Sequence, residues 1–369
     1  MCNTNSENIK VSVVIPVYNA DNYLRQALDS IVSQTLREIE IISVDDGSTD
    51  HSLAILKEYQ SADNRIRIIT QNNAGPSIAR NKGLARARGE YVIFLDADDF
   101  YEPTLLESLY GVASRDSLDI AIARYDLYNN KKGIFEPSVK TDHGKIFESA
   151  RVVSKNEFPD QILLSVTGFV WNKLFRRAFL LEKRLTFNPW IRVFEDTYFV
   201  VTAMSLADRV GKVFDVLVHH RVYSGQSKNK LFRKYYNQVP VLYAEMKEFL
   251  RANGMYIPLA KSFLNLSASR CYTIYNLLWR DAKREFWDML HEDYAETLGW
   301  EERVPEDFER EDVREFVADV LMFTHEQYEY RRELGINRIG GIEHASKIAR
   351  LRKKVKNFFV KIFGGKKKK

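Results

Sequence analysis

The chain has 369 residues, 45% hydrophobic and 28% charged, which is ordinary for a folded soluble protein of one extended domain or two. Two cysteines far apart, Cys2 and Cys271, exclude a disulfide framework and a cysteine metal site. The absence of a spanning run of about 18 apolar residues and of a signal-type N-terminus leads us to expect a cytoplasmic protein.

The first hundred residues alternate strand and helix. Val11–Val17 reads as a buried strand, Asp21–Gln34 as a helix with Leu24, Ala27, Leu28, Ile31 and Val32 on one face, and Glu38–Val44 as a second strand. Turn residues follow from Asp45 to Asp50, ending in a helix cap. Ser52–Gln60 is then a helix, Arg65–Thr70 a third strand, and Ser77–Arg88 a helix stopped by Gly89 in the left-handed conformation. The apolar run Tyr91–Leu95 is a fourth strand, buried on both faces, that ends in Asp96-Ala97-Asp98. This βαβα order implies an α/β fold with a doubly wound, mostly parallel sheet. Further on, the pattern predicts a helix over Leu105–Ala113, a strand over Asp119–Leu127 and a hairpin turn over Asn129–Gly133. It also predicts an amphipathic helix over Trp171–Lys183, a strand over Val213–Arg221, and mostly helix from Leu231 to Glu333.

Four strand tips carry the chemistry. In a doubly wound sheet the tips at the point where strand order reverses surround one crevice. Pro16-Val17-Tyr18-Asn19, Asp45-Asp46, Gln71 to Gly75 and Asp96-Ala97-Asp98 all lie just past strands. Any one of them is explained by turn formation or capping, but four together point to a ligand cleft. Asp96 and Asp98, followed at once by Asp99, would repel one another unless a hard cation joined them, and such a cation also holds phosphate oxygens. Tyr18 offers a flat ring to a base, Asp46 or Asp45 an acceptor for its imide or amide hydrogen, and Asp96 a partner for ribose hydroxyls. Asp98 is then the metal ligand.

Val13–Asn19, Val44–Asp50, Asn73-Ala74-Gly75 with Ala79–Gly83, and Leu95–Asp99 together resemble family 2 glycosyltransferases of the GT-A fold. The resemblance implies inverting transfer of a hexose or N-acetylhexosamine from a nucleotide diphosphate sugar, UDP-linked, with Mn²⁺ or Mg²⁺. The acceptor would be a glycan or lipid-linked hydroxyl in surface polysaccharide synthesis. It implies Pro16, Tyr18 and Asp46 beside the base, Asn73, Gly75 and Arg80 at the nucleotide pocket, Asp96 by the ribose or donor sugar, and Asp98 on the metal. Downstream, Trp171–Arg177 and Phe194–Phe199 resemble the acceptor half of the same family. There the second acid of Glu195-Asp196 is implied as catalytic base. Inversion by a single displacement needs such a carboxylate to take the acceptor proton, and Glu195 would orient it or bind the acceptor. The same pair at a helix start near Thr197 also has a simple capping explanation. His220 is a candidate phosphate or metal contact and Arg221 a candidate for the diphosphate.

The net charge of +5 belongs to one end of the chain. Residues 341–369 carry eleven Lys/Arg and one Glu, or +10, so the other 340 residues sum to −5. In that tail Ile348, Leu351, Val355, Phe358, Phe359 and Ile362 share a helical face, a pattern that suits an anionic membrane surface, with an ordinary C-terminal helix docked on the body under a solubilising lysine cap as the alternative; no recognised nucleic-acid-binding fold accompanies the charge. The expected organisation is a nucleotide-sugar domain over 1–228, a helical region over 229–340 and a basic amphipathic tail over 341–369, with the protein peripheral on the inner face of the membrane. Two rival readings are a nucleotidyltransferase, whose Gly-rich phosphate loop is missing after the first strand, and a non-catalytic module that binds nucleotide sugar or membrane.

Overall fold

The computed structural model describes residues 8–138, 146–191, 193–222, 234–302 and 307–334. The tail expected over 341–369 lies outside them, as do Ser224 to Ser227. The chain divides into two compact units, Met1–Gln226 and Ser227–Lys369.

The first unit is built on a 10-stranded sheet. Strand β1 (Val11–Val17) is buried almost throughout and pairs in parallel with β2 (Ile39–Asp45), from Val11 opposite Ile39 to Val17 opposite Asp45. β3 (Ile66–Thr70) lies in parallel outside β2, and β4 (Tyr91–Phe94) lies in parallel on the other side of β1. The order β3-β2-β1-β4 places the reversal of strand order between β1 and β4. A proline in a central strand normally forfeits a ladder bond. Pro16 avoids this because it faces the same side as Val14, whose carbonyl accepts from Leu95 at 3.0 Å, and the pairing with β4 ends there.

Helices α1 (Asp21–Val32), α2 (Ser52–Ala62) and α3 (Pro76–Leu84) connect these strands. α3 is shorter than its periodicity suggested, and Gly89 does not end it in a left-handed turn. Gly89 is instead needed for a close approach: its amide donates to Ser12 Oγ at 2.8 Å, and a Cβ there would lie 2.5 Å from the Ser12 nitrogen.

Beyond β4 come β5 (Phe100–Tyr101), α4 (Leu105–Arg115), β6 (Ile120–Asn129) and β7 (Ile134–Pro137), the last two joined by the expected turn. After α5 (Ile146–Ser149) and β8 (Val152–Val153), the segment expected as one helix over Trp171–Lys183 is β9 (Lys173–Arg176) followed by the short α6 (Arg177–Glu182). β9 fills the gap between β4 and β6, antiparallel to both, so long-range pairing overrides the local helical spacing. α7 (Glu195–Leu206) and β10 (Val210–Val222) complete the unit. β10 runs parallel to β6 with two register shifts, and its pairing with β5 brings His219 opposite Phe100, just past the acidic tip of β4. Phe94, Phe175, Phe187 and Phe199 pack together beneath that tip, with Phe187 and Phe199 stacked at 4.0 Å. This cluster fixes α7 to β4 and β9 through apolar burial and ring contacts.

The second unit is helical in its described part, with helices over Gln238–Ala252, Ala260–Leu277, Arg280–Met289, Glu311–Met322 and His325–Glu333. Its core is aromatic: Trp287 stacks on Tyr328 at 4.3 Å, and its indole nitrogen donates to the Phe323 carbonyl at 2.9 Å. Thr324 and Gln327 form a capping box at the start of the last helix. Among the described residues no helix is long and apolar enough to cross a membrane.

Candidate functional site

The tips of β1 to β4 surround a cavity of about 660 Å³. Of the residues expected to bind ligand, Pro16, Tyr18, Asp46, Asn73, Gly75, Arg80, Asp96 and Asp98 line it. Tyr18 stands at its mouth, 52% exposed. Asp45 does not line the cavity: it is buried at the end of β2, where Ser48 N approaches its Oδ1 at 3.4 Å.

The walls are built by short polar contacts. Asn19 sits at φ 47°, in the left-handed region that Asn tolerates, and its Oδ1 accepts from Thr49 N at 2.8 Å. Asp50 accepts from Asp21 N and Ser52 N, so one carboxylate serves the starts of both α1 and α2. Asp46 is more committed than its sequence context suggested. Its Oδ1 accepts from Gln71 Nε2 at 2.7 Å and Ala74 N at 2.8 Å, and its Oδ2 from Gly75 N at 2.8 Å. It therefore shapes the loop before α3. Gly75 enters that helix at φ 91°, a conformation glycine adopts without steric cost.

At the tip of β4 the ligand oxygens of Asp96, Asp98 and Asp99 lie within 4.8 Å of one another. Burial and the repulsion of Asp99 and Asp96 push the Asp98 carboxyl up to about 7, with His220 opposing. Asp99 is fully buried and also raised, by burial first, although His220 opposes and Arg221 N donates to it at 2.8 Å. Carboxylates crowded in this way, with hard oxygen donors, fit Mg²⁺ or Mn²⁺. Asp99 was legible in the sequence as the next acid in the run; its place in the trio follows from the tight turn into β5.

His220 stands behind the trio. Its Nδ1 lies 3.0 Å from Asp99 Oδ2, and its ring stacks on Trp171 at 5.1 Å. Arg221 does not extend toward the cavity. Its Nε donates to the Asp98 carbonyl, Nη1 to Asn130 Oδ1 and Nη2 to Gln26 Oε1, between the rings of Tyr23, Phe100 and Tyr128. The expectation that it reaches a diphosphate is corrected accordingly: all three guanidinium nitrogens are taken up in bracing the acidic tip.

Arg80 is the hub of the site. It is 4% exposed, with Nη2 2.9 Å from Asp96 Oδ1 and Nη1 2.9 Å from Asp196 Oδ1 and 3.5 Å from Glu195 Oε1. One guanidinium thus joins the acid pair to the tip of β4. α7 begins at Glu195, two residues earlier than expected, after Phe194 at φ 65°. A bulky residue held in the left-handed region costs about 1–3 kcal/mol and marks a constrained position. Burial pushes the Asp196 carboxyl up to about 8; the Arg80 and Lys173 cations oppose this, and Glu195 and Asp96 add to it. The ion pair alone would lower that value, but desolvation of a buried carboxylate is the larger effect here. Asp196 Oδ1 has no hydrogen-bond partner despite its proximity to Arg80. Arg80→Ala is expected to destabilise the protein by about 3–5 kcal/mol in urea unfolding, because three carboxylates lose their shared counter-ion. Arg80→Lys should recover only part of this, since a point charge cannot span both groups.

A doubly wound sheet with this cleft and acidic tip defines a GT-A fold. Residues 12–180 match the family model "Glycosyl transferase family 2". EpsH of Bacillus subtilis (strain 168), named a glycosyltransferase, is 34% identical over 271 residues, covering 72% of this chain and 77% of that one. The chain belongs to glycosyltransferase family 2 and is a glycosyltransferase. Among solved structures, Staphylococcus aureus TarS 1-349 in complex with UDP superposes with a TM-score of 0.64 at 22% identity, covering 84% of this chain and 86% of that one. TarS has also been solved with UDP-GlcNAc. The mannosyltransferase PcManGT from Pyrobaculum calidifontis, in complex with GDP-Man and Mn²⁺, superposes with a TM-score of 0.51 at 16% identity, covering 79% and 73%.

Proposed function

We propose that the protein transfers a hexose or N-acetylhexosamine, with inversion, from a UDP-linked sugar to a hydroxyl of a glycan or lipid-linked acceptor in surface polysaccharide synthesis. The observation that carries this reading is the Arg80 bridge, which sets Asp196 beside the tip that would face the donor's diphosphate. Tyr18 offers its exposed ring to the base at the cavity mouth, and Asp46 holds the loop that closes the pocket. Asp96 faces the ribose or the donor sugar. Asp98, with its acidic neighbours, would hold Mn²⁺ or Mg²⁺. When bound, that ion supplies Lewis-acid neutralisation of the diphosphate. Asp196 takes the acceptor hydroxyl proton as its oxygen bonds to C1, while the bond from C1 to the diphosphate oxygen breaks and nucleoside diphosphate departs. The UDP assignment draws support from the UDP and UDP-GlcNAc complexes of TarS.

A donor screen tests the reading. With Mn²⁺ and UDP-, GDP- or dTDP-sugars, nucleotide release is expected from a UDP-sugar. A protein that neither binds nor releases any of the three nucleotides would not fit it. We further propose that residues 341–369 attach the protein to anionic membrane through the apolar stripe and lysines of the tail. Full-length chain is expected to float with phosphatidylglycerol vesicles in low salt, and chain lacking residues 345–369 to remain in the dense fraction. Equal partition of the two would remove the membrane role.

A further inference from the structure

We propose that Lys173 is a positioning residue that anchors the segment from Gly168 to Trp171 and thereby holds Asp196 in place against the acidic tip of β4. The proposal rests on the reading of Asp196 as the base.

Lys173 lies on β9 with no exposed surface. Its ammonium donates to the Phe169 carbonyl at 2.5 Å and to Asn172 Oδ1 at 2.8 Å. Asn172 is itself fixed to β6, since its Nδ2 donates to the Ala123 carbonyl at 2.8 Å. A lysine in such a place is costly to bury. Burial pushes it down to about 7, and the charge of Asp196 opposes that shift. A methionine would fill similar space without the penalty, so packing alone does not account for the cation.

Two contacts lead outward from the carbonyl that Lys173 holds. On one side Gly168 rests on the first turn of α7. A Cβ on Gly168 would lie 2.3 Å from Thr197 Oγ1 and 2.9 Å from Thr197 Cα, so the segment sits directly against the residue that follows Asp196. On the other side the Phe169 ring stacks on Trp171 at 5.0 Å, and Trp171 stacks on His220, which holds Asp99. One anchored segment therefore touches both the helix that carries the base and the histidine that holds the acidic tip. A rigid spacer of this kind sets the separation between base and leaving group, where a misplacement of about 1 Å is enough to cost roughly 10²-fold in rate. The charged groups facing Asp196 are Arg80 from α3, Glu195 on its own helix, Asp96 beyond β4 and Lys173 from β9.

Lys173→Met tests this. The expected result is a kcat lowered roughly 10- to 100-fold, UDP affinity in the presence of Mn²⁺ within about twofold of wild type by calorimetry, and a lower Tm, because the Phe169 carbonyl and Asn172 Oδ1 lose their buried donor. Gly168→Ala, which displaces the same segment from α7, should lower kcat with UDP affinity preserved. The proposal is overturned if Lys173→Met keeps kcat within about twofold of wild type, if UDP affinity falls in parallel with kcat, or if the loss vanishes once the folded fraction is corrected. Asp196→Asn separates the two levels. An inactive Asp196→Asn beside a fully active Lys173→Met rejects the positioning role alone, whereas an active Asp196→Asn rejects the reading beneath it.

Discussion

Asp196→Asn is expected to lower kcat by roughly 10²- to 10⁴-fold, the usual contribution of a positioned general base, while UDP affinity stays close to wild type. Asparagine keeps the size and shape of the side chain but cannot take a proton. Arg80 retains Asp96 as a partner at 2.9 Å, so the nucleotide side of the cavity should survive the change. The pH dependence gives a second measurement. Burial raises the Asp196 carboxyl to about 8, against the opposing charges of Arg80 and Lys173. A base must be deprotonated to act, so kcat of the wild type should fall as pH drops below about 8, approaching tenfold per unit. The residual rate of Asp196→Asn should lack that limb. A base whose proton affinity lies near the working pH is also well matched to accepting a proton in the transition state. Wild-type turnover in Asp196→Asn, measured as nucleotide release with acceptor present, would take the base out of the scheme.

The first hundred residues yielded their fold readily because local and long-range preferences agree there. Val11–Val17 and Tyr91–Phe94 are apolar on both faces and are buried on both faces, and the turn residues after each strand form the cleft. Agreement of this kind is what makes a pattern readable. Trp171–Lys183 shows the opposite case. Its apolar positions fit a helix, yet Lys173–Arg176 is drawn into the sheet between β4 and β6, a pairing with residues 51 to 85 positions away that leaves no local trace. The site divides along the same line. Asp96, Asp98 and the residues of the cavity wall are neighbours in short motifs and were named from them. The hydrogen bonds of Asp46 to the Gln71–Gly75 loop, the three occupied nitrogens of Arg221, and the Arg80 bridge to Asp196 over more than a hundred residues all depend on tertiary approach. Lys173 was missed for a different reason: lysine is almost always a surface residue, and no sequence pattern marks the one that is buried.

Asp98→Asn is expected to abolish most divalent-dependent turnover, by roughly 10²-fold or more given the several kcal/mol that a cation supplies at a diphosphate. The same variant should make the metal-free protein more stable. The sign follows from linkage. Asp98 is raised from 3.8 to about 7 by burial and by Asp99 and Asp96, so the folded state holds its proton more tightly than the unfolded chain does. That preference favours folding fully below about pH 4 and is lost as pH rises through about 7. Above neutrality the wild type carries a buried charge repelled by its neighbours, and asparagine removes the charge while keeping the volume. In EDTA at pH 8, Asp98→Asn should therefore melt a few degrees above wild type. Saturating Mn²⁺ should reverse the order. An ion bound to the folded state at a hundred times its Kd stabilises by about 2.7 kcal/mol, which raises the wild-type Tm and leaves the variant nearly unmoved. Scanning calorimetry of both proteins, with and without Mn²⁺, reads the crossing directly. Equal Mn²⁺ shifts in the two would place the cation elsewhere and detach the Asp96–Asp99 tip from the chemistry assigned to it.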